Sequence, residues 1–170
     1  RRVLVSDPAQ AFERHHRAVF RYLLRMSGDP AAAEDLTQDT FLRAVRMARG
    51  PHGWRADSEK AWLFQTARNL LLNRRRDHVR EVPTRPLAEA EESGLGTGTQ
   101  FDRAVLREAL GALAAADREV ILLRELGGLA YDEIAFVTDT TVESVRSRMH
   151  RTRMALRHAL LHRENEESSP

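Results

Sequence analysis

The sequence predicts an all-α protein of two small helical domains joined by a flexible linker. Three observations predict it. Apolar residues recur at helical spacing along most of the chain. Helix start and stop signals, Asp7-Pro8, Asp29-Pro30, Gly50-Pro51 and Gly127-Gly128, cut that pattern into helix-sized pieces. One stretch, EVPTRPLAEAEESGLGTGTQ over residues 81–100, has two Pro, three Gly and no periodicity at all. A 42% hydrophobic content supports packed cores, and only 6% of residues are aromatic. The implied domains are residues 8–80 and 103–163, with an acidic linker over 81–102 and a polar, frayed tail over 164–170.

The first helix starts at Asp7-Pro8, carries Phe12, Val19, Phe20, Leu23 and Leu24 inward, and ends near Gly28. The second starts at Asp29-Pro30 and stops before Gly50-Pro51. Winding it at 100° per residue puts Ala33, Thr37, Thr40, Phe41, Ala44 and Ala48 on a core side. Asp35, Gln38, Asp39, Leu42 and Arg46 gather on the opposite side. Leu42 is thus an apolar residue on a polar, partly acidic face. That face reads as a docking surface for a basic partner helix, or as an ordinary solvated face. After the loop GPHGWRAD, Asp57 or Ser58 caps a third helix that reaches about His78, with Leu63, Thr66, Ala67 and Leu70 as its core stripe. Gln65, Arg68, Asn69, Arg75 and Arg76 lie on its other side. Basic groups interleaved with amides and aromatics suit a single nucleic-acid strand. Trp62 reads mostly as core, and Trp54 is undecided.

Beyond the linker, Val105, Leu106, Leu110 and Leu113 mark one helix. Val120, Ile121, Leu123 and Leu126 mark another, ended by Gly127-Gly128. Residues 129–161 then carry two apolar-periodic segments around a Thr/Asp-rich break at Thr138 to Thr141. The second segment keeps Val145, Met149, Thr152 and Leu156 on one face, with Arg146, Arg148, Arg151, Arg153 and Arg157 over the rest. A short helix, a tight turn and an Arg-bearing helix make a helix-turn-helix reader of the DNA major groove. Arg suits that work because its planar fork meets phosphates and guanine edges bidentately.

The net charge of +2 hides a segregation. Residues 1–80 hold 16 Lys and Arg against 9 Asp and Glu, whereas residues 81–102 hold one against five. A basic block beside an acidic connector points to a polyanionic partner. The chain has no Cys, which excludes disulfides and thiolate metal sites. Of seven His, only His158 and His162 have helical i,i+4 ligand spacing, and no HExxH pattern, Gly-rich phosphate loop or nucleophile elbow occurs. No metal, cofactor or catalytic residue is therefore expected, and the chain reads as no enzyme. No apolar run approaches the ~20 residues that span a bilayer, so a cytoplasmic protein without membrane insertion is expected.

Two stretches resemble one family. AEDLTQDTFLRAV (Ala33–Val45) with AWLFQTARNLL (Ala61–Leu71) resembles region 2 of bacterial sigma factors. REVILLRELGGLAYDEIA (Arg118–Ala135) with VESVRSRMHRTRMALR (Val142–Arg157) resembles their region 4. Both in this order, with only a linker between them, resemble the extracytoplasmic-function group of the sigma-70 family. The resemblance implies a promoter-specificity subunit that binds core RNA polymerase and promoter DNA. It places Asp35, Gln38, Asp39 and Leu42 against the clamp coiled coil of the large polymerase subunit. It places Arg55, Lys60, Arg68, Asn69, Asn73, Arg74, Arg75 and Arg76 at the melted −10 element, with a base extruded into a loop pocket. It places Thr141, Ser144, Arg146, Ser147, Arg148 and Arg151 at the duplex −35 element. An anti-sigma factor that covers these surfaces is implied as a further partner.

Five positions depart from the family pattern. Asp139 stands at the turn where Gly is common, and Thr138 and Thr140 stand where Leu and Ile are usually buried. Ala130 stands at a Ser or Thr cap, whose loss typically costs about 1 kcal/mol. Glu59 replaces a usual Phe. A marginally stable second domain is expected. The competing readings are a free-standing helix-turn-helix regulator, for which the Asp35/Gln38/Asp39/Leu42 face has no use, and a metal-dependent hydrolase, for which the His spacing gives little basis.

Overall fold

The structure, a computed structural model, describes residues 4–5, 7–51, 53–56, 58–78 and 100–167. Its first half holds α1 (Pro8–Ser27), α2 (Pro30–Ala48) and α3 (Glu59–His78), each packed on the other two. Its second half holds α4 (Gln100–Ala112), α5 (Ala115–Glu125), α6 (Tyr131–Thr138) and α7 (Val142–Glu167). In this half α7 is the hub, since α4, α5 and α6 all pack against it. Residues 79–99, most of the expected linker, lie outside the described residues.

The start signals work as the sequence implies. The Asp7 carboxylate accepts from the Ala9 amide, and the Asp29 carboxylate accepts from Ala31 and Ala32. Each satisfies first-turn donors that the helix itself leaves open. Gly28 closes α1 in the left-handed conformation, φ 71°. Ser58 caps α3, its hydroxyl accepting from the Ala61 amide.

Three sequence expectations need correction. A two-residue antiparallel pair, β1 (Leu4–Val5) with β2 (Arg55–Ala56), fastens the N-terminal segment to the loop before α3. Two residues are too few to show an alternating pattern. Helix α7 continues to Glu167, well into the expected frayed tail, because no Gly or Pro interrupts the chain there. Helix α4 starts at Gln100, inside the expected linker.

The two halves share one core. Leu63, Phe64, Ala67 and Leu71 of α3 are buried, and so are Leu123, Leu129 and Ile134 of the second half, in one continuous cluster. Helix α3 packs on α6, and α1 on α5. Hence α3 is covered on more of its circumference than one apolar stripe predicts. The turn at Gly127 sits in this seam. A Cβ there would stand 2.3 Å from the Leu129 side chain, 2.6 Å from the Leu123 carbonyl and 3.0 Å from the Phe64 ring. Only glycine allows that approach. The inward residues of α1 differ too. Val19, Leu23 and Leu24 are buried as expected, but Phe12 is 46% exposed, and Tyr22 is fully buried instead.

Candidate polymerase-docking and nucleic-acid surfaces

The outward face of α2 emerges as its periodicity implies. Ala33, Thr37, Thr40, Phe41 and Ala44 are buried, while Asp35, Gln38, Asp39, Leu42 and Arg46 are all exposed. Thr37 and Thr40 lie in the core because their hydroxyls donate back to the Ala33 and Leu36 carbonyls, both at 2.7 Å. Leu42 is 50% exposed. It lines an open groove of about 770 Å³ between α1 and α2, with Phe12, Gln38, Phe41 and Val45 in its walls. Phe12 belongs to this groove, its ring edge-on to Phe41 at 5.0 Å. Its helical spacing assigned it to the core, so the sequence reading missed it.

The basic candidates of α3 are not left free. Lys60 donates to the Gly128 carbonyl at 2.6 Å. Arg68 donates from Nε to Glu119 Oε1 at 2.9 Å, and the Tyr22 hydroxyl donates to the same oxygen at 2.8 Å. Glu119 is only 7% exposed, so this carboxylate is a buried link between α1, α3 and α5. Burial, then the adjacent carboxylate, pushes the Tyr22 hydroxyl well above its usual pKa, which keeps it a donor. Two more bonds cross the seam. Ser58 donates to Glu133, and the Gln65 amide reaches the Phe136 carbonyl at 3.4 Å. Farther along α3, Arg74 pairs with Asp35 at 3.5 Å, Arg75 donates to the Met26 carbonyl, and Arg76 donates to Asn73. Asn69 is exposed. Arg55 lies in β2, and its side chain is outside the described residues.

Of the two tryptophans, the undecided Trp54 is the core residue, and Trp62, expected mostly in the core, is only half-buried. Trp54 is fully buried, and among the described residues its Nε1 has no hydrogen-bond partner. Trp62 is half-buried, its ring 5.0 Å from that of Trp54 and tilted by 58°. Trp62 lines an open cavity of about 510 Å³ with Arg43, Arg46, Met47 and Thr66, beside the turn of Gly50, Pro51 and Gly53. Arg43 and Arg46 were not among the sequence candidates here, because helical periodicity does not say which exposed side of α2 borders α3.

In the second half the break between α6 and α7 is a tight turn. Asp139 takes the left-handed conformation, φ 53° and ψ 53°, that its position demands and that Asp tolerates. Thr138 satisfies its hydroxyl on the Ile134 carbonyl at 2.7 Å. The hydroxyl of Thr141 accepts from the Ser144 amide, so this candidate base contact also caps α7. Arg146 and Ser147 are exposed, and Arg148 donates weakly to Ser144 at 3.4 Å. Arg151 pairs with Asp117 at 3.2 Å. Val145, Met149 and Thr152 face inward, leaving the Arg-rich side of α7 toward solvent.

Comparison with known proteins accounts for both halves. Residues 11–81 match the family model described as Sigma-70 region 2, and residues 103–156 match that of Sigma-70 region 4. The ECF RNA polymerase sigma factor SigL of Mycobacterium tuberculosis is 32% identical over 154 residues, covering 86% of this chain and 84% of SigL. The chain belongs to the extracytoplasmic-function sigma factors of the sigma-70 family. SigC of M. tuberculosis is 34% identical, over 81% of this chain and 75% of its own. Among solved structures, the sigma factor RpoE of Bartonella quintana, in complex with the anti-sigma factor NepR, superposes with a TM-score of 0.72. It is 27% identical, over 89% of this chain and 95% of RpoE. CnrH, in complex with the cytosolic domain of CnrY, gives 0.63 at 26% identity, over 95% of this chain and 89% of that one.

The departures of this sigma factor from the family pattern have local explanations. Glu59, in place of the usual Phe, accepts two bonds from Arg14 at 3.0 and 3.1 Å and contacts His15 Nε2 at 3.0 Å, which joins α1 to the start of α3. Ala130 has no side-chain acceptor for the first turn of α6, but Glu133 accepts from its amide at 2.8 Å. Among the described residues no helix is long and apolar enough to cross a membrane, and no three His, Cys, Asp or Glu could hold a metal ion.

Proposed function

We propose that this sigma factor docks on core RNA polymerase through Asp35, Gln38, Asp39 and Leu42 of α2 and reads two promoter elements with its two halves. The observation that carries the docking assignment is the half-exposed Leu42, beside an apolar groove and between carboxylates. An apolar anchor flanked on one side by negative charge fits a helical partner with basic residues, here the clamp coiled coil. Residues 8–80 serve the polymerase and the −10 element. Residues 81–102 connect them to residues 103–163, which serve the −35 element, and 164–170 have no assigned task. The −35 contacts come from Thr141, Ser144, Arg146, Ser147, Arg148 and Arg151, most of them to phosphates. The −10 strand runs along Lys60, Arg68, Asn69, Asn73, Arg74, Arg75 and Arg76, with Arg55 in the loop. The cavity beside Trp62 has room, a stacking ring and two guanidinium groups for an extruded base. Promoter binding then requires the seam to part, because Lys60, Gln65 and Arg68 are otherwise engaged by the second half. The subunit contributes no chemistry of its own, acts in the cytoplasm, and is held inactive by an anti-sigma factor, as the RpoE complex with NepR supports.

The test is co-purification with bacterial core polymerase, for the native chain and for a Gln38→Ala, Leu42→Ala double variant. Retention of the native chain and loss of the variant is expected. Equal retention of both would discard the docking face, and no retention of either would return the free-standing regulator.

A further inference from the structure

We propose that Ser58 and Gln65 complete a single-strand-binding row on α3, and that in the free protein the second half occupies this row in place of the strand. Both residues extend the −10 contact set proposed above, on which this inference rests. Ser58, Gln65 and Arg68 follow one side of α3 at helical spacing, and Lys60 joins them from the first turn on its long stem. At 1.5 Å per residue the row runs about 15 Å along the helix. In each of the cross-seam bonds named above, the first half donates and the second half accepts. Ser58 donates to Glu133, Lys60 to the Gly128 carbonyl, Gln65 to the Phe136 carbonyl, and Arg68, together with Tyr22, to Glu119. The second half thus offers α3 two carboxylates and two carbonyls, groups that only accept.

A nucleic-acid strand offers the same set, anionic phosphate oxygens and base carbonyl oxygens. A helix that reads such a strand carries donors, and donors shut into a seam without acceptors are costly. Glu119 is the clearest stand-in. It is 7% exposed and takes Arg68 Nε at 2.9 Å. A buried ion pair of this kind contributes little over apolar residues packed in its place. Its presence is explained when Arg68 has a second partner. The guanidinium serves a phosphate, and Glu119 holds the place of that phosphate until the strand arrives. Ser58 and Gln65 alternate in the same way, with the Glu133 side chain and the Phe136 carbonyl as their stand-ins. The competitor is tethered, so it acts at high effective concentration. It lowers the strand affinity of the free chain by the fraction of molecules that are open.

The experiment is fluorescence anisotropy of a labelled oligothymidylate of about 20 nucleotides with the full chain at low salt, because stacking and phosphate contacts need no particular sequence. Glu119→Gln and Glu133→Gln keep an oxygen acceptor and remove a seam charge. Each should tighten binding, by about fivefold or more for Glu119→Gln. Glu133 is half-buried, so its variant carries the test if Glu119→Gln fails to fold. Arg68→Gln and Gln65→Ala also loosen the seam, yet they should weaken binding. These opposite signs mark competition, since a seam with only a structural role moves all four variants in one direction. Glu125→Gln removes an exposed carboxylate from the same helix as Glu119 and should leave binding unchanged.

A rise in Glu125→Gln equal to that in Glu119→Gln would be a general charge effect and overturn the competition. Absence of tightening in both Glu119→Gln and Glu133→Gln, with binding still lost in Arg68→Gln, would keep the strand surface and overturn the competitor. Unchanged binding in Arg68→Gln and Gln65→Ala would overturn the −10 row itself, and the competition with it. So would the absence of binding by every chain.

Discussion

In the first half, α1 and α2 begin at Asp-Pro pairs whose carboxylates accept from first-turn amides. In the second half, α5 and α6 begin at Ala114 and Ala130, which have nothing to accept with. The first half also closes its own charges, as when Glu59 binds Arg14 and His15 between α1 and α3. The second half sends its buried carboxylate, Glu119, across to Tyr22 and Arg68 of the first. Its short α6 leans on α3 as well as on α7. The first half thus has capped helix starts and an ion-pair link of its own between α1 and α3. The second is locally weaker and takes part of its stability from the seam. That asymmetry suits the two-part DNA reader proposed above, in which the contacts that part on binding are those between the halves.

The sharpest way to break this comparison is Glu119→Ala. Removing a buried carboxylate leaves the Tyr22 hydroxyl and the Arg68 guanidinium unmatched, a class of change that costs about 3–5 kcal/mol. The loss should fall on the seam and the second half. Calorimetry should show one unfolding transition in the native chain and two in the variant, with the lower one belonging to α4–α7. A single transition shifted down as a unit would mean that the halves are equally dependent on each other.

How legible all this was in the sequence follows the same division. The face of α2 could be read because one side of that helix is buried and the other is free, the condition under which a 3.6-residue period reports burial. The caps, the turn at Asp139 and the solvent-facing arginines of α7 could be read for the same local reasons. The seam could not. Tyr22 and Glu119 are 97 residues apart, and a buried carboxylate carries no periodic signal. Phe64 and Leu71 fall off the expected stripe of α3 because that helix is covered on a second side. Phe12 looked like core because apolar spacing cannot separate a core residue from the wall of an open groove. Trp54 and Trp62 are eight residues apart and both near positive charge, so only their packing assigns one to the interior and the other to a cavity.

A milder perturbation sharpens the contrast in capping. Ala130→Ser would give α6 the acceptor it lacks, completing the reciprocal bond already made by Glu133. The gain should be about 1 kcal/mol. It should appear as slower amide hydrogen exchange in α6 and α7, with α1 and α2 unchanged. Protection that rises equally in both halves would show that their stabilities cannot be separated. Protection that does not change would mean that the Glu133 bond to the Ala130 amide already satisfies the helix start.

The smallest expected effect lies in the first half and concerns His15. Burial lowers its pKa from the usual 6.5 and outweighs the opposing pull of Glu59. Below pH 6.5 the unfolded chain therefore takes up a proton that the folded chain still refuses. Stability must fall as pH drops from about 6.5 through the lower folded-state value, and must be flat above that window as far as this residue is concerned. His15→Gln removes the titration while leaving an amide that can still donate to Glu59. The difference in melting midpoint between pH 7.5 and 5.5, taken between the native chain and the variant, isolates the one imidazole. The native chain should lose slightly more. If it loses less, the attraction of Glu59 for the protonated ring exceeds the cost of burying it. The α1–α3 contact would then tighten in acid, and the first half would gain, on acidification, a stability that the seam does not share.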